Sequence, residues 1–280
     1  MKTTVKIILT AAFACFLTAI AFAQASIPGK VFVAEINGGV TFIVGGKVIA
    51  LKKGQSVPVE GAHIETGPAA NVVLVYSNGT SIYIDEKTII DINRFVQRPF
   101  PAGADTTVLE PSASDTIARV SQGRVIITTN ELATGTSMVY STPESQVRVR
   151  GREVVIEVKD QTTNITLLHG DVTVTPLNAP PGDIGETLYG GQMAIITTTA
   201  AAVTAAATVQ IVPTPQIRVD DFGTKVAATE RAQQTVIFET VTTPIPGGTN
   251  STSEIQVKAI VPVSLPVQLT VSPSTLRTGG

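Results

Sequence analysis

The sequence is poor in the residues that build disulfides, metal sites and aromatic pockets. It contains one cysteine, Cys15, no tryptophan and only two histidines. Because Cys15 lies in the apolar leader described below, the rest of the chain can form neither a disulfide nor a thiolate metal site. Aromatic residues make up only 5% of the chain, which disfavours a ring-stacking ligand pocket. A formal net charge of −2 disfavours binding to nucleic acid, which requires a strongly basic surface.

The sequence also lacks recognisable catalytic patterns. It has no nucleophile elbow, zincin motif, phosphate-binding loop or dinucleotide fingerprint. His63 and His169 both lie beside strand-like residues, which favours strand-end or turn roles over metal or proton chemistry. The acid pairs Asp85-Glu86 and Asp220-Asp221 are compatible with turns or, less readily, with weak calcium binding. We therefore predict a protein without catalytic residues, cofactor or metal, and keep an enzyme as the minor alternative.

The first residues have the organisation of a secretory signal peptide. Two lysines precede an apolar segment, which ends in the small-residue motif Ala21–Ala23. We predict a signal peptide over residues 1–23, with cleavage after Ala23 or, alternatively, after Ala25. Lipid attachment at Cys15 and an uncleaved anchor are the alternatives, but the apolar segment is shorter than the roughly 20 residues of a membrane span. The expected location is periplasmic or extracellular, with no membrane span after leader removal.

The remainder of the chain has the composition of a β protein. Valine, isoleucine and threonine are abundant, and branching at Cβ suits strands. From residue 30 onward short apolar runs alternate with glycine turns, and no helical period appears before residue 198. Glycines at Asn37–Gly39 and Gly45–Gly46 predict a meander of three strands. The Pro/Gly/Ser-rich residues 98–115 predict a connector between two halves of one domain, residues 30–198.

The strongest local signal is a hairpin centred on Asn78-Gly79. The segment NVVLVYSNGTSIYIDEKTIIDI alternates apolar residues on both sides of this dipeptide. Asn-Gly is favoured in tight hairpin turns because both residues tolerate positive φ. We predict that Asn78 and Gly79 form the turn and that apolar alternation resumes at Ile90 and Ile92.

A second signal lies in QVRVRGREVVIEV. Apolar positions are odd at Val147 and Val149 and even after Gly151. A strand cannot change the parity of its buried face without an extra residue or a bend, so Gly151 is predicted to mark a corner. The side chains of Arg148, Arg150 and Arg152 would then share the face opposite the valines. They form either a solvated strand face with cross-strand acid partners or a basic interaction face for an acidic partner.

The C-terminal residues 199–280 differ in composition from the rest. An Ala/Thr-rich run is interpreted as a linker, with a short helix as the alternative, and the residues from 211 to 234 as largely irregular. From 255 to 271 every odd position is apolar, while Pro262 and Pro266 fall on even positions. This pattern predicts an edge strand that pairs on one side only and could mediate self-association.

The order of these motifs resembles the FecR-domain proteins of bacterial envelopes. The resemblance extends over about residues 31–198, and the tail lies outside it. Arg152 departs from the pattern, because threonine often follows Arg-Gly in this family. The matching dipeptides and strand start are Thr66-Gly67, Asn78-Gly79, Thr142-Pro143, Arg150-Gly151 and Gly170–Val172.

The resemblance implies an all-β domain of repeated short strands, solenoid-like or sandwich-like, without catalytic activity. The regulators that gave the family its name signal to a sigma factor through a cytoplasmic helical domain and a membrane span. Neither is evident in this sequence, so we do not expect that role to transfer. The leading hypothesis is an exported, non-enzymatic envelope scaffold or protein-interaction module. The alternatives are a sensor of an envelope protein or polysaccharide, and a subunit that assembles by strand addition through residues 255–271.

Overall fold

The computed structural model describes residues 25–101, 103–198, 207–244 and 251–260. These described residues form twenty strands and one helix, α1, over Gln216–Gln233. The first nine strands are β1 Ile27–Pro28, β2 Lys30–Asn37, β3 Val40–Val44, β4 Lys47–Val48, β5 Ser56–Pro58, β6 Ala62–Thr66, β7 Asn71–Tyr76, β8 Ser81–Ile84 and β9 Ile89–Gln97. The others are β10 Ser114–Thr128, β11 Ser137–Ser141, β12 Ser145–Val149, β13 Glu153–Lys159, β14 Thr162–His169, β15 Asp171–Pro176, β16 Glu186–Tyr189, β17 Gln192–Thr197, β18 Thr208–Pro213, β19 Val236–Pro244 and β20 Ser251–Ile260.

Two large sheets stack face to face and share strand β10. Sheet A has the order β4-β3-β6-β9-β10-β11-β12-β15-β16, and β1 also pairs with β9. Sheet B has the order β5-β2-β7-β8-β10-β13-β14-β17-β18. Residues 114–122 of β10 belong to sheet A, and residues 123–128 belong to sheet B. The all-β expectation is confirmed, with the sandwich as its form.

The core lies between the two sheets. Alternate residues of each strand point inward, as in β12, where Val147 and Val149 are buried and Arg148 is exposed. The inner layer consists of branched aliphatic side chains together with rings such as Phe42 and Tyr140. Period-two alternation, visible in the sequence, thus places one face of most strands of the two sheets in a common apolar layer.

The Asn78-Gly79 hairpin is present; of the predicted N-terminal meander, the three strands and the hairpin turn at Gly45–Gly46 are present, but the first turn is wrong. β7 and β8 pair directly across the turn, with Val75 opposite Ser81. By contrast, β2 lies in sheet B and β3 in sheet A, so Asn37–Gly39 is a corner between sheets rather than a hairpin turn. Gly38 has a φ of +71°, and a Cβ there would lie 2.8 Å from that of Ala70. Glycine therefore permits close packing of two corners.

The expectation of an irregular segment from 211 to 234 is wrong. Thr208–Pro213 is edge strand β18, and α1 follows immediately and crosses the outer face of sheet B. Strands β19 and β20 then form a hairpin against the same face. Part of the predicted edge strand, residues 255–260, lies in β20; Pro262, Pro266 and the rest of it, like the leader and residues 199–206 of the Ala/Thr-rich run, lie outside the described residues.

Candidate interaction site

The three arginines singled out in the sequence lie at one corner of the sandwich. Arg148 is on β12 in sheet A, with Val139 of β11 and Thr173 of β15 as its neighbours across the sheet. Arg150 and Arg152 lie between β12 and β13, where the chain passes from sheet A to sheet B. All three side chains are exposed. The corner that the change of parity indicated is therefore present.

Close packing of two glycine corners holds these arginines in place. A Cβ on Gly151 would lie 2.8 Å from Leu167 Cδ1 and 2.9 Å from the carbonyl oxygen of His169. Gly170, whose φ is +100°, faces it at the parallel corner between β14 and β15, and a Cβ there would lie 2.4 Å from Gly151 Cα. The backbone amide of Arg152 donates to the His169 carbonyl at 2.9 Å. Glycine at position 151 is needed because these two corners of the chain approach each other closely.

The arginines line an open cleft of about 700 Å³. Its other wall is the segment that leads from β10 into β11, which supplies both polar and apolar groups. Within the described residues, none of the three guanidinium groups lies within 4.0 Å of a carboxylate. The predicted pairing with cross-strand acids is thus not seen there. The lining residues are Asn130, Glu131, Leu132, Thr136, Ser137, Met138, Arg148, Val149, Arg150 and Arg152.

The Asn78-Gly79 turn lies beneath the connector, although a hairpin turn would be expected to face solvent. Asn78 Oδ1 accepts from the Thr80 amide at 3.0 Å, and its Nδ2 donates to Ser114 Oγ at 3.0 Å and to Glu110 Oε1 at 3.3 Å. Gly79 has a φ of +88°, and a Cβ there would lie 2.4 Å from Asn130 Nδ2. Both predicted turn residues therefore also anchor the segments around residues 106, 114 and 130.

Glu110 is the buried residue that organises this region, and no sequence pattern indicated its role. It is only 6% exposed. Its Oε1 accepts from Ser114 Oγ at 2.6 Å, and its Oε2 accepts from the amide of Ala133 at 2.7 Å and from Thr136 Oγ1 at 2.5 Å. A buried carboxylate is tolerated because several donors satisfy it. Through Thr136, this cluster positions one wall of the arginine cleft.

A different arginine, Arg124, lies at the centre of a charge network on the outer face of sheet B. Its guanidinium lies 2.8 Å from Glu157, 2.8 Å from Asp221 and 3.2 Å from Asp85. It also lies over the ring of Phe222, 5.3 Å from the centroid. Burial alone lowers the pKa of Arg124, but the carboxylates, Glu157 first, raise it above its ordinary value. This network is structural, because it attaches α1 to the sheet.

The remaining chemical candidates from the sequence also have pairing partners. His63 Nδ1 lies 2.7 Å from Asp91, and His169 Nδ1 lies 2.8 Å from Glu153. Asp85 and Asp221, from the two acid pairs weighed as calcium sites, both contact Arg124 and Lys225. In the described ranges no three His, Cys, Asp or Glu side chains gather as a metal site would require. Among those same residues, no helix is long and apolar enough to cross a membrane.

The comparison with protein-family models agrees with the motif order. Residues 62–173 match the model of the FecR protein family. Two crystal structures of a candidate anti-sigma factor from Parabacteroides distasonis ATCC 8503 are similar, with 13% and 12% identity and TM-scores of 0.41 and 0.40. Each similarity covers 57% of this chain and 63% of the other. No curated protein matches the sequence.

The family match extends over both halves of the sandwich. It begins at β6, includes the Asn78-Gly79 hairpin, the whole of β10 and the arginine corner, and ends in β15. These are the elements that carried the resemblance in the sequence. Residues 62–173 of this chain therefore form a FecR domain.

Proposed function

We propose that this protein is an exported, non-catalytic component of the bacterial cell envelope with a sensing or signalling role. It would act by binding an acidic partner in the Arg148-Arg150-Arg152 cleft. The FecR domain supports a regulatory rather than an enzymatic role. The observation that carries the proposal is the cleft itself, where three exposed guanidinium groups, none within 4.0 Å of a carboxylate in the described residues, line one concave surface.

The chemistry of the cleft favours a carboxylate-bearing ligand. Arginine presents a planar fork of donors that matches a carboxylate in bidentate geometry. The lining also supplies an apolar contact from the partly exposed side chain of Leu132. A protein segment that alternates acidic and apolar residues offers both kinds of group, whereas a purely anionic polysaccharide uses only the arginines. We therefore favour an acidic protein segment as the ligand.

The test compares two variants that lose the same charge. In one, Arg148, Arg150 and Arg152 are replaced by glutamine; in the other, the exposed residues Lys47, Lys52 and Arg98 are replaced, since they lie outside the cleft. Both are used as bait on the native envelope fraction, and both are titrated with a fluorescent peptide of alternating glutamate and leucine.

We expect the arginine variant to lose the captured partner and to bind the peptide at least tenfold more weakly, while the control variant behaves as the unmodified protein. Equal losses in both variants would indicate a nonspecific charge effect and would refute the cleft as the site. Retention of partner and peptide by the arginine variant would refute it as well.

A scaffold role through strand addition is the second candidate. β20 pairs with β19 along one edge, and no strand of the described residues pairs with its other edge. An extended segment from another molecule could pair there. Deletion of residues 254–280 removes most of β20 together with the rest of the predicted strand. If self-association or partner capture is unchanged by this deletion, this candidate loses its support.

A further inference from the structure

The C-terminal segment, defined here as residues 216–260 with α1, β19 and β20, covers the outer face of sheet B. It adds no strand to either sheet, since β19 and β20 pair only with each other in the described residues. Its buried side chains belong to two apolar clusters that are separate from the layer between the sheets. Removal of the segment would thus leave the inner core of the sandwich intact.

The helix is positioned on sheet B by a few specific contacts. Phe222 and Val226, one helical turn apart, pack against Ile126 of β10 and Val155 of β13. Further along, Thr229 Oγ1 lies 2.5 Å from Thr128 Oγ1. The last turn ends in Gln233, whose Nε2 donates to the carbonyl oxygens of Gly79 and Thr128, both at 2.9 Å. Sheet B therefore presents a groove that recognises both apolar and polar side chains of α1.

Charges at the rim of this groove make the contact more polar than the inner core. Arg218 and Lys225 of α1 pair with Glu157 and Asp85 of the sheet, and Asp221 of α1 pairs with Arg124. The three carboxylates and the three basic side chains of these pairs carry no net charge together. Contacts of this mixed character are typical of surfaces that associate and separate, and salt weakens them.

The helix depends on the groove for its order. Pro215 precedes it without a side-chain cap, and Gly223 lies within it. An 18-residue helix with these features is marginal when isolated in water. Only Thr214 and Pro215 separate β18 from α1. A short hinge before an exchangeable terminal element favours its transfer to an identical site on another molecule.

We propose that the outer face of sheet B is an interaction surface for a second copy of this chain, and that two copies exchange their C-terminal segments. Each sheet B would then bind the α1 of the other molecule through the contacts seen within one chain. Because these contacts are identical in both arrangements, only the conformation of residues 214 and 215 and the loss of freedom on pairing separate the monomer from the exchanged dimer.

The test uses disulfides, since Cys15 is the only cysteine and residues 25–280 contain none. One chain carries Thr128→Cys and the other Thr229→Cys, and the two are mixed, incubated and oxidised. We expect a covalent dimer linked between positions 128 and 229 in the mixture and in neither chain alone. Ala227→Cys, at an exposed position of α1, replaces Thr229→Cys as the control and should give at least tenfold less dimer.

A single chain that carries both Thr128→Cys and Thr229→Cys shows whether the two positions meet in the folded protein. If this chain closes its internal disulfide and the mixture of single variants forms no dimer, exchange does not occur and the proposal is overturned. Arg124→Gln in both mixed chains should increase the rate of dimer formation at least threefold, because the rim charges oppose release of α1. An unchanged or lower rate would overturn the role assigned to those charges.

Discussion

The two faces of sheet B bury apolar side chains in different ways. On the inner face, Val125 and Ile127 of β10 point into a layer made of apolar side chains from both sheets. On the outer face, Ile126 of the same strand contacts Phe222 and Val226 of α1. Burial is complete on both faces, because all three β10 residues have no exposed surface. The outer contact is bordered by ion pairs such as Arg124–Asp221 and by a side-chain hydrogen bond between Thr128 and Thr229.

This difference distinguishes the inner layer, which forms the fold, from α1, which is added to the outer face of sheet B. Nonspecific apolar packing is sufficient between two sheets whose strands are already fixed by backbone hydrogen bonds. A single helix on the outer face of a sheet has no such register, so specific polar contacts determine its position. We therefore expect the outer layer to be the more selective contact and also the weaker one.

Truncation of Ile127 should have the largest effect on stability. Ile127→Ala leaves a cavity between two rigid sheets and should lower the free energy of unfolding by about 4 kcal/mol. Ile126→Ala, the matched change on the other face, should cost about 2 to 3 kcal/mol because α1 can settle into the space. Urea unfolding of both variants measures the difference. If Ile126→Ala proves as costly as Ile127→Ala, the outer layer is as rigid as the core.

Substitution of Gly151 tests the close approach of the corners at Gly151 and Gly170. Gly151→Ala forces a methyl group to within about 3 Å of Leu167 and the His169 carbonyl and should cost about 1 to 3 kcal/mol. Gly39→Ala is the control, since no atom lies within 4 Å of its Cβ position, and should change stability by less than about 0.5 kcal/mol. Thermal unfolding provides the comparison, and equal shifts in the two variants would contradict the role of close packing at residue 151.

The charge network predicts a smaller effect that depends on salt. Arg124→Gln removes the partner of Glu157 and Asp221 and should cost about 1 to 2 kcal/mol at low ionic strength, less at high salt. The measurement is unfolding in low and high NaCl. Arg119→Gln, an exposed arginine on the same strand, serves as the control and should have little effect at either salt concentration. A loss of stability in Arg124→Gln that does not depend on salt would point to packing on Phe222 as the cause.

Acid should release α1 from sheet B before the core unfolds. This is the smallest of the predicted effects. Burial alone raises the pKa of Asp221, but the hydrogen bond and charge of Lys225, with Arg124, lower it below its ordinary 3.8. A lowered folded-state pKa gives stability that is present above the unfolded value and is lost as pH falls through the folded value. The helical far-UV signal should therefore decline below about pH 4. Asp221→Asn should remove this component; an unchanged acid response would assign it to other carboxylates.

Local signals in the sequence predicted those parts of the structure that depend on near neighbours. Alternation around Asn78-Gly79 indicated the β7–β8 hairpin, and the change of parity at Gly151 indicated the corner that carries the arginines. The same reasoning failed at Asn37–Gly39, because a glycine turn permits either a hairpin or a passage to the other sheet. Contacts with the distant Ala70 decide between them.

The helix was missed because its buried stripe is only partly apolar. Phe222 and Val226 follow helical spacing, but two of the next three buried residues, Thr229 and Gln233, are polar. Their burial is compensated by Thr128 and by carbonyl oxygens of sheet B, which lie more than 100 residues away in sequence. No window of local sequence contains that information. For the same reason Arg124 and Glu110 could not be identified as centres of polar networks.

The sharing of β10 by both sheets has a consequence for local opening. Residues 114–122 are hydrogen-bonded into sheet A and residues 123–128 into sheet B. Exposure of the amides at either end by subglobal unfolding must therefore disturb strands on both sides of the core. Amide hydrogens along β10 should exchange with solvent only through global unfolding, while those of α1 exchange through release of the helix alone. The slowest exchange in the molecule would then trace one continuous strand through both sheets.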